Sequence, residues 1–461
     1  MLVVFSGRAR TEGGHKSLPM TTRLIASAAL MMVSVASPLT VLAQMPAAPE
    51  RQPIAGRVLT LDECVAIALE QQPQITARLF DYAAARYRVD QALAPFLPQL
   101  TGSVTTTKSK SNSIPSSALA TAPAVTTFRE FNQTLNANIA LSQLLFDFGK
   151  NLAATDAARK LQDVALESVE LQRQLISLSV KEAYTNILFA QRLIRVNEQA
   201  LQRADLNLKS ARGFYEVGTR PKSDVARAEV DVANARLTVI QAKNAERLAL
   251  VALNTAMAID VDTPTTIQDN LVYEPVTLDR LAIRAEALRQ RPEYRQAKLT
   301  ADAAEALQRQ AFRNFFPDIT GSGTYGGVRP ELAEVWTLSL SLTWTLYDGG
   351  GRIGRYREAR ANYDGAVARI RATELDIIQN VEQAQLTVGE AAERIQAAQA
   401  AVASAQENFR LAQGRFDAGV GTILELTDAQ LALTQAQNTE TQALSDYRIA
   451  LYRLDRARGR R

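Results

Sequence analysis

Two carboxylates near the C-terminal end, Glu425 and Asp428, are the side chains whose type and spacing best suit a chemical role. Residues three apart share one face of a helix, so both can point the same way. In an assembly of several chains they would form two acidic rings, and such rings select cations in channels. Helix capping is the competing interpretation, because Thr422 stands three residues before Glu425 in capping-box spacing.

Enzymatic chemistry is disfavoured by the residue types that the chain lacks. The single histidine, His15, lies in a predicted secretory leader, so the processed chain would have no histidine for catalysis or metal binding. The single cysteine, Cys64, allows no intrachain disulfide. Its context, 61–63, predicts a semi-buried helix position rather than a lipid-modified one. We therefore predict a protein that is not an enzyme and that uses no cofactor or metal.

A secretory signal peptide is predicted within residues 1–43. Arg23 precedes an apolar stretch, and small residues at Val41 and Ala43 indicate cleavage after Ala43. Serine, threonine and proline dilute this stretch below what a spanning helix requires. Removal of 1–43 takes away four basic residues and one acidic residue, so the net charge falls from +4 to +1. No basic footprint for nucleic acid remains.

The chain repeats itself, and this is its most informative feature. Gly218 matches Gly419, and three longer segments recur in the same order. They are LTLD at 59–62 and VTLD at 276–279, FLPQLTGS at 96–103 and FFPDITGS at 315–322, and LFDFG at 145–149 and LYDGG at 346–350. We predict a linker at 44–56, a first repeat at 57–275, a second repeat at 276–458 and a basic C-terminal tail at 459–461.

Each repeat contains two predicted strands, at about 99–112 and 131–147, and at about 319–328 and 334–348. The second strand of each repeat alternates apolar residues with uncharged Ser, Thr or Asn. Trp336 and Trp344 fall on the apolar face, roughly 26 Å apart at 3.3 Å per residue, near the height of an outer-membrane apolar band. A soluble sandwich is the alternative, but an uncharged polar face suits a water-filled lumen. Four strands cannot close a membrane barrel, so at least two chains must share it.

The rest of each repeat is predicted to be helix, with a long hairpin whose tips lie at about 214–226 and 415–427. No proline interrupts 124–220 or follows Pro330. Apolar residues recur at alternating steps of four and three from Ile176 to Ala211 and from Ile377 to Phe416, which is a coiled-coil seam. Helices of this length span on the order of 100 Å. The fold class is thus a membrane β-barrel plus an α-helical coiled-coil barrel, internally duplicated and closed only as an oligomer.

These motifs together resemble the TolC family of outer-membrane efflux proteins over about 57–458. The shared features are the repeated opening, the proline before each strand, the Phe/Tyr-Asp-x-Gly strand ends and the tip Val217–Pro221. The resemblance implies a homotrimer with a twelve-stranded barrel in outer-membrane lipid and a periplasmic tunnel closed at its tip. It also implies a periplasmic adaptor (membrane fusion) protein and an inner-membrane RND or ABC transporter as partners. Many members carry an acylated N-terminal cysteine; this chain has none and is similar to the unacylated branch.

The resemblance also assigns roles at the tips. It places Glu425 and Asp428 at the acidic pore constriction. Members often close the tip by pairing an arginine of the second tip with an aspartate of the first. Asp224 is present here, but Gly421 occupies the arginine position, which makes Arg220 the candidate substitute. The predicted tip and adaptor-contact residues are Gly218, Thr219, Arg220, Pro221, Asp224, Gly419 and Gly421.

Three functions fit this reading of the sequence. The first is the exit duct of a tripartite pump, a passive channel for drugs or other small molecules. The second is the exit duct of a type I protein secretion system. The third is a trimeric surface coiled coil or adhesin, which the doubled strand–helix–tip unit disfavours. The sequence does not separate the first two, because partner proteins choose the cargo.

Overall fold

Residues 57–113, 128–277, 279–329 and 333–461 are described by the computed structural model. The predicted leader 1–43, including its cleavage position, and the predicted linker 44–56 lie outside the described residues.

Each repeat folds into two short helices, two long strands and one long helical hairpin. The first contains β1 (Val58–Leu59), α1 (Leu61–Gln71), α2 (Pro73–Leu93), a 3-10 turn (Ala94–Phe96), β2 (Gln99–Ser113), β3 (Phe128–Phe146), α3 (Lys150–Glu216), α4 (Lys222–Ala256) and β4 (Thr266–Ile267). The second contains α5 (Arg280–Gln290), α6 (Pro292–Arg313), β5 (Asp318–Arg329), β6 (Ala333–Thr343), α7 (Gly351–Asp417) and α8 (Ile423–Arg458).

The outward helices of the two hairpins match residue for residue. Helices α3 and α7 each contain 67 residues, and their first residues, Lys150 and Gly351, are 201 positions apart. A glycine in the left-handed region precedes each helix, Gly149 at φ 81° and Gly350 at φ 88°. Only a residue without Cβ adopts this conformation freely, so the strand-to-helix turn is encoded twice by the same residue type.

The short helices that open the repeats begin with different caps. In α1 the Thr60 hydroxyl accepts from the Glu63 N–H, and the Glu63 carboxylate accepts from the Thr60 N–H at 2.9 Å, which is a capping box. In α5 the cap is Asp279, whose carboxylate accepts two N–H groups of the first turn. Thr60 therefore corresponds structurally to Asp279 and not to Thr277, although the sequence motifs align it with Thr277.

The four long strands form one antiparallel sheet in the order β2-β3-β5-β6, and the β3–β5 pairing joins the repeats. Directly opposed residues lie on the same face of such a sheet. The register therefore assembles one polar and one apolar face. The polar face includes Thr101, Ser103, Thr105, Asn136, Asn138, Ser322, Thr324, Thr337, Ser339 and Ser341. The apolar face includes Leu100, Val104, Leu135, Ile139, Leu141, Tyr325, Trp336, Leu338, Leu340 and Leu342.

Strand β6 ends at Thr343, five residues before the predicted limit of 348. Its partner β5 begins at Asp318, directly after Pro317, which has no N–H with which to extend the ladder. Trp344 consequently leaves the strand, and its indole N–H donates to the carbonyl of Phe315 at 3.0 Å.

The predicted coiled-coil stripes face the helical interfaces within the protomer. Every stripe position from Ile176 to Ala211 and from Ile377 to Phe416 is buried or half-buried. Helix α3 packs on α4, and α7 packs on α8, to form the two hairpins. Helix α3 also packs on α6 and α8, so the first repeat's long helix is the main link to the second repeat.

Two tyrosines and the single cysteine are buried among the helices. Tyr184 donates its hydroxyl proton to the Gln268 carbonyl at 2.6 Å, and Tyr447 donates to the Glu274 carbonyl at 2.7 Å. Cys64 is fully buried in α1, deeper than predicted, and burial raises the pKa of its thiol to about 12. Within the described residues, no helix is both long and apolar enough to cross a bilayer.

The predicted basic tail at 459–461 follows the end of α8 at Arg458 and contacts other helices. Gly459 follows the helix at φ 88°. The Arg461 guanidinium donates to both carboxylate oxygens of Glu170, with its Nε at 2.7 Å, and Arg460 pairs with Glu286 at 2.7 Å. Lys181 Nζ donates to the Arg461 carbonyl at 2.8 Å. Carboxylates distant in sequence thus neutralise both arginines.

Candidate pore tip and membrane-facing sheet

The two hairpin tips use the same backbone turn. After α3, the Thr219 N–H returns to the Phe214 carbonyl at 2.9 Å, and Gly218 adopts φ 77°. After α7, the Val420 N–H returns to the Arg415 carbonyl at 3.0 Å, and Gly419 adopts φ 76°. Both are Schellman C-caps. A Cβ added at either glycine would meet nothing within 4 Å. Glycine is therefore favoured at these positions by the positive φ angle and not by crowding from neighbouring atoms.

Arg220 of the first tip reaches across to the second tip. Its Nη2 donates to the Gly421 carbonyl at 2.5 Å, and its Nη1 lies 3.6 Å from the Asp224 carboxylate. The guanidinium also stands 4.6 Å from the ring centroid of Phe416. Its side chain is only 13% exposed, and that of Asp224 is 15% exposed. Arg220 therefore ties the two tips of one protomer together; we call these contacts the Arg220 tether.

Gly421 is the one tip glycine that close approach requires. It is buried, and an added Cβ would lie 2.9 Å from both Arg415 Cβ and Phe416 N. No side chain, and so no arginine, fits at this position without moving the backbone of α7. Gly421 accepts the Arg220 hydrogen bond through its backbone carbonyl. The two tips are therefore still in contact, but the charged side chain comes only from the first tip.

The predicted constriction residues lie on the exposed side of the first turns of α8. Thr422 caps the helix by accepting from the Glu425 backbone N–H at 3.2 Å. The Glu425 carboxylate does not complete a capping box; it lies 3.6 Å from Arg415 Nε, with both side chains about half exposed. Asp428 is exposed one turn further. The cap thus uses the backbone N–H of residue 425, and the carboxylates of Glu425 and Asp428 are both exposed.

Other contacts also join the tip regions of the two hairpins. Phe214 meets Phe416 edge to face at 5.7 Å between ring centroids. Further from the tip, Asn207 Nδ2 donates to Gln430 Oε1 at 2.6 Å. From the sequence, Phe416 is predicted only as a position of the apolar stripe. Because Phe416 is the last position of this stripe, the sequence indicates that the packed interface extends to the tip.

The apolar face of the sheet carries aromatic residues at both ends. Trp336, 70% exposed, is directly opposite Tyr325 on β5. Trp344, 56% exposed, lies at the other end, where Phe148 stacks on Phe316 at 5.4 Å. Leu338, Leu340 and Leu342 between them are all largely exposed. Tyr325, Phe148 and Phe316 lie in weakly periodic segments, so the alternation pattern does not predict their place.

Hydroxyl pairs cross the polar face of the same strands. Ser322 Oγ and Ser339 Oγ are 2.7 Å apart, and Thr324 Oγ1 and Thr337 Oγ1 are 2.5 Å apart. These short polar side chains bond to one another across strands. No group of three His, Cys, Asp or Glu residues able to hold a metal occurs in the described part of the chain.

Known proteins share this combination of a four-stranded sheet and two long helical hairpins. Residues 65–258 and 283–460 match the outer membrane efflux protein family. The chain belongs to that family. The predicted TolC-family resemblance is thereby confirmed, and so are the predicted fold class and the outer-membrane location with a periplasmic helical extension. This efflux protein is an outer-membrane channel component, which favours the exit-duct interpretations over the adhesin.

Individual relatives have low sequence identity to this chain but align with most of its length. The Escherichia coli outer membrane protein TolC is 24% identical over 82% of this efflux protein and 77% of TolC. The Pseudomonas aeruginosa outer membrane protein OprJ is 25% identical over 87% of this chain and 84% of OprJ. Among solved structures, Vibrio cholerae VceC superposes with a TM-score of 0.73 at 21% identity, covering 87% of this chain and 96% of VceC. That likeness shows the shared fold.

Proposed function

We propose that three copies of this efflux protein close their four-stranded sheets into a twelve-stranded barrel and form the passive exit duct of a tripartite small-molecule pump. One observation carries the proposal: a two-faced sheet, apolar outside and hydroxyl-lined inside, continues directly into two hairpins of equal length. An open sheet edge in lipid costs several kcal/mol for each unpaired backbone group, which favours closure between chains.

Small molecules are favoured as cargo over exported proteins. Several relatives have names that state a small-molecule cargo; among them are the toluene efflux pump outer membrane protein TtgC and the pyoverdine export outer membrane protein OpmQ, both from Pseudomonas putida. TtgC aligns over 60% of both chains at 24% identity. The type I secretion alternative has no comparable observation in its favour. A periplasmic adaptor and an inner-membrane RND or ABC transporter complete the proposed pump.

Assembly is tested by two matched lysine substitutions on adjacent residues of β6. Leu340→Lys places a charge on the apolar face, where it costs about 2–4 kcal/mol at the bilayer midplane. Ser341→Lys places the same charge on the polar face, where water solvates it. We expect trimers in the outer-membrane fraction for Ser341→Lys and their loss for Leu340→Lys. A soluble monomer for the unmodified protein, or the opposite pattern for the variants, contradicts the proposal.

The proposed constriction is a ring of Glu425 and Asp428 from each subunit. Six carboxylates about one axis concentrate negative potential and select cations. In planar bilayers, Glu425→Ala with Asp428→Ala is expected to weaken cation selectivity and block by divalent cations. The control is Glu407→Ala, which removes an exposed acid of α7 that is paired with Arg410. Unchanged selectivity in the double variant would place the constriction elsewhere along the tunnel.

The adaptor is proposed to dock on the tips, where apolar side chains are exposed at the far end of the helices. Val217 is 71% exposed and Val420 is 73% exposed, each beside a tip glycine. Val217→Asp with Val420→Asp is expected to abolish drug resistance while the trimer remains. Val367→Asp, an exposed position of α7 far from the tip, serves as the control. Full resistance in the double variant would exclude docking at this surface.

A further inference from the structure

A cleft of about 480 Å³ lies where α6 begins and α8 ends, beside the middle of α7. Arg291 and Glu293 line it from the start of α6, and Arg453 and Arg456 line it from the last turns of α8. Helix α7 contributes polar side chains, among them Thr373, Asn380, Gln383 and Thr387. Small-molecule sites have volumes of roughly 300–1,000 Å³, so the cleft has the size of such a site.

The N-terminus of α6 and the C-terminus of α8 meet at this cleft. Arg456 Nη2, near the end of α8, lies 3.8 Å from the carboxylate of Glu293 in the first turn of α6. Arg291, which precedes α6, makes no side-chain cap hydrogen bond, and Pro292 at the first position has no N–H. The next N–H groups of α6 therefore lack a side-chain cap. Uncapped N–H groups and the helix dipole both favour an anion at a helix N-terminus.

Two arginines that line the cleft carry buried N–H groups without an acceptor in the described part of the chain. The Arg291 side chain is only 5% exposed. Its Nε and Nη2 donate to the Glu293 carboxylate at 3.3 and 2.7 Å, but its Nη1 donates to none of the described residues. Arg456 Nε is also buried and donates to none of them. Buried donors are stabilised by an acceptor, so both guanidinium groups favour a ligand that brings one.

The last carbonyls of α8 bond to backbone N–H groups and not to these arginines. The Asp455 carbonyl accepts from the Arg460 N–H, and the Arg456 carbonyl accepts from the Gly459 N–H, both at 2.9 Å. This pattern is a Schellman motif, which closes a helix end with its own backbone. An acceptor for the two guanidinium groups must therefore come from elsewhere, and the cleft gives it room.

Carboxylates neutralise the three guanidinium groups of the cleft only in part. Arg291 and Arg453 are each paired with a carboxylate, at 2.7 and 2.8 Å. Arg456 has only the more distant contact with Glu293. The pKa of Arg456 lies below its ordinary value, chiefly because of burial, and the positive charge of Arg291 lowers it further. Asp376 also lines the cleft, but it is exposed. An excess of positive charge thus lies in the buried part of the cleft.

We propose that this cleft binds a small organic anion, whose phosphate or carboxylate group accepts hydrogen bonds from Arg291 and Arg456 beside the N-terminus of α6. Arg453 is the most exposed of the three arginines, at 59%, and pairs with a second acidic group of the ligand. Hydroxyl and amide groups of α7, such as those of Thr373 and Asn380, suit its polar remainder. One chain supplies all of these groups, so the site does not depend on the oligomer of the proposed function.

Isothermal titration calorimetry of the detergent-solubilised protein tests for binding. The probes are inorganic phosphate and citrate, and sodium chloride at the same ionic strength is the blank. We expect saturable binding of at least one probe, with one site per chain. A preference for phosphate identifies the bound group as a phosphate, and a preference for citrate identifies it as a carboxylate. Absence of saturable binding for both probes, in protein that unfolds cooperatively on heating, would overturn the proposal.

Substitutions with opposite expected effects locate the site. Arg456→Gln removes a cationic donor and is expected to weaken binding about tenfold, which corresponds to one hydrogen bond to a charged group. Glu293→Gln removes the carboxylate that competes with the ligand for Arg291 and Arg456, and is expected to tighten binding. Arg448→Gln is the matched control. Arg448 lies eight positions earlier in α8, and its Nε is also buried without an acceptor among the described residues, but it does not line the cleft.

The unfolding temperature without a probe shows whether each variant folds, and Arg453→Gln replaces Arg456→Gln if the latter does not. A bound probe raises the unfolding temperature by mass action. We expect that rise in the unmodified protein and in Arg448→Gln, and a much smaller one in Arg456→Gln. A rise of the same size in all three would be the general effect of excluded ions and would overturn the proposal. Equal weakening of binding by Arg448→Gln, or weaker binding by folded Glu293→Gln, would also overturn it.

Discussion

The two hairpins share their lengths and turns but are fastened by different means. Both tips contain a Schellman glycine, yet the first tip provides a charged side chain, Arg220, and the second provides the backbone carbonyl of Gly421. The C-terminal end of α8 is followed by Arg461, which donates to Glu170 of α3. The equivalent helix of the first repeat, α4, ends at Ala256. Duplication has therefore preserved backbone geometry while side chains diverged. Substitutions at equivalent places should have unequal effects, and that inequality can be measured.

The largest difference is expected between two tip glycines. In Gly421→Ala the new Cβ meets backbone at 2.9 Å, and overpacking of this kind costs about 3 kcal/mol. Gly218→Ala meets no atom within 4 Å and only strains a positive φ, at about 1 kcal/mol. Hydrogen exchange across 415–427 should rise far more in the first variant than exchange across 214–226 does in the second. Equal effects would show that crowding at Gly421 is unimportant.

The next effect is expected from removal of the Arg220 tether. Arg220→Ala leaves the nearly buried Asp224 and the Gly421 carbonyl without their partner, at about 2 kcal/mol. Arg415→Ala, in the exposed part of the second tip, breaks one half-exposed ion pair with Glu425 worth about 0.5 kcal/mol. We expect a larger single-channel conductance for Arg220→Ala and a small change for Arg415→Ala. The reverse order would assign control of the tip to the second hairpin.

A smaller effect is expected from the caps of the return helices. Thr422→Ala removes the hydroxyl that accepts from the Glu425 N–H, and such a loss costs about 1 kcal/mol. Pro221, the equivalent cap of α4, makes no side-chain hydrogen bond, so Pro221→Ala loses only backbone restraint, about 0.5 kcal/mol. Thermal unfolding in detergent should rank the variants in that order. If Pro221→Ala is the more damaging, the rigid turn matters more than the cap.

Local patterns predicted what local geometry determines. Sheet faces follow a period of two, and hairpin lengths follow from the spacing between Gly149 and Gly218. Features that depend on distant neighbours were missed. Trp344 leaves β6 because Pro317, just before the partner strand β5, ends the ladder, and Arg220 donates to an acceptor 201 positions away. Residues 459–461 were predicted as a tail because their carboxylate partners lie on other helices.

The smallest effect is expected from low pH, acting on the ion pair between Glu170 and Arg461. Hydrogen bonding from Arg461 is the main reason that the pKa of Glu170 lies below its ordinary value of 4.5. A carboxylate with a lowered folded pKa stabilises the protein fully above the unfolded pKa, and this contribution is lost as pH falls through the folded value. Unfolding temperature should therefore fall below pH 4.5, and less steeply in Arg461→Ala, which has already lost the pair. Arg453→Ala, which breaks the Glu182 pair of similar exposure, is the control for the loss of one ion pair between α8 and α3. An unchanged slope in Arg461→Ala would show that other carboxylates set the acid sensitivity and that α8 does not depend on this contact.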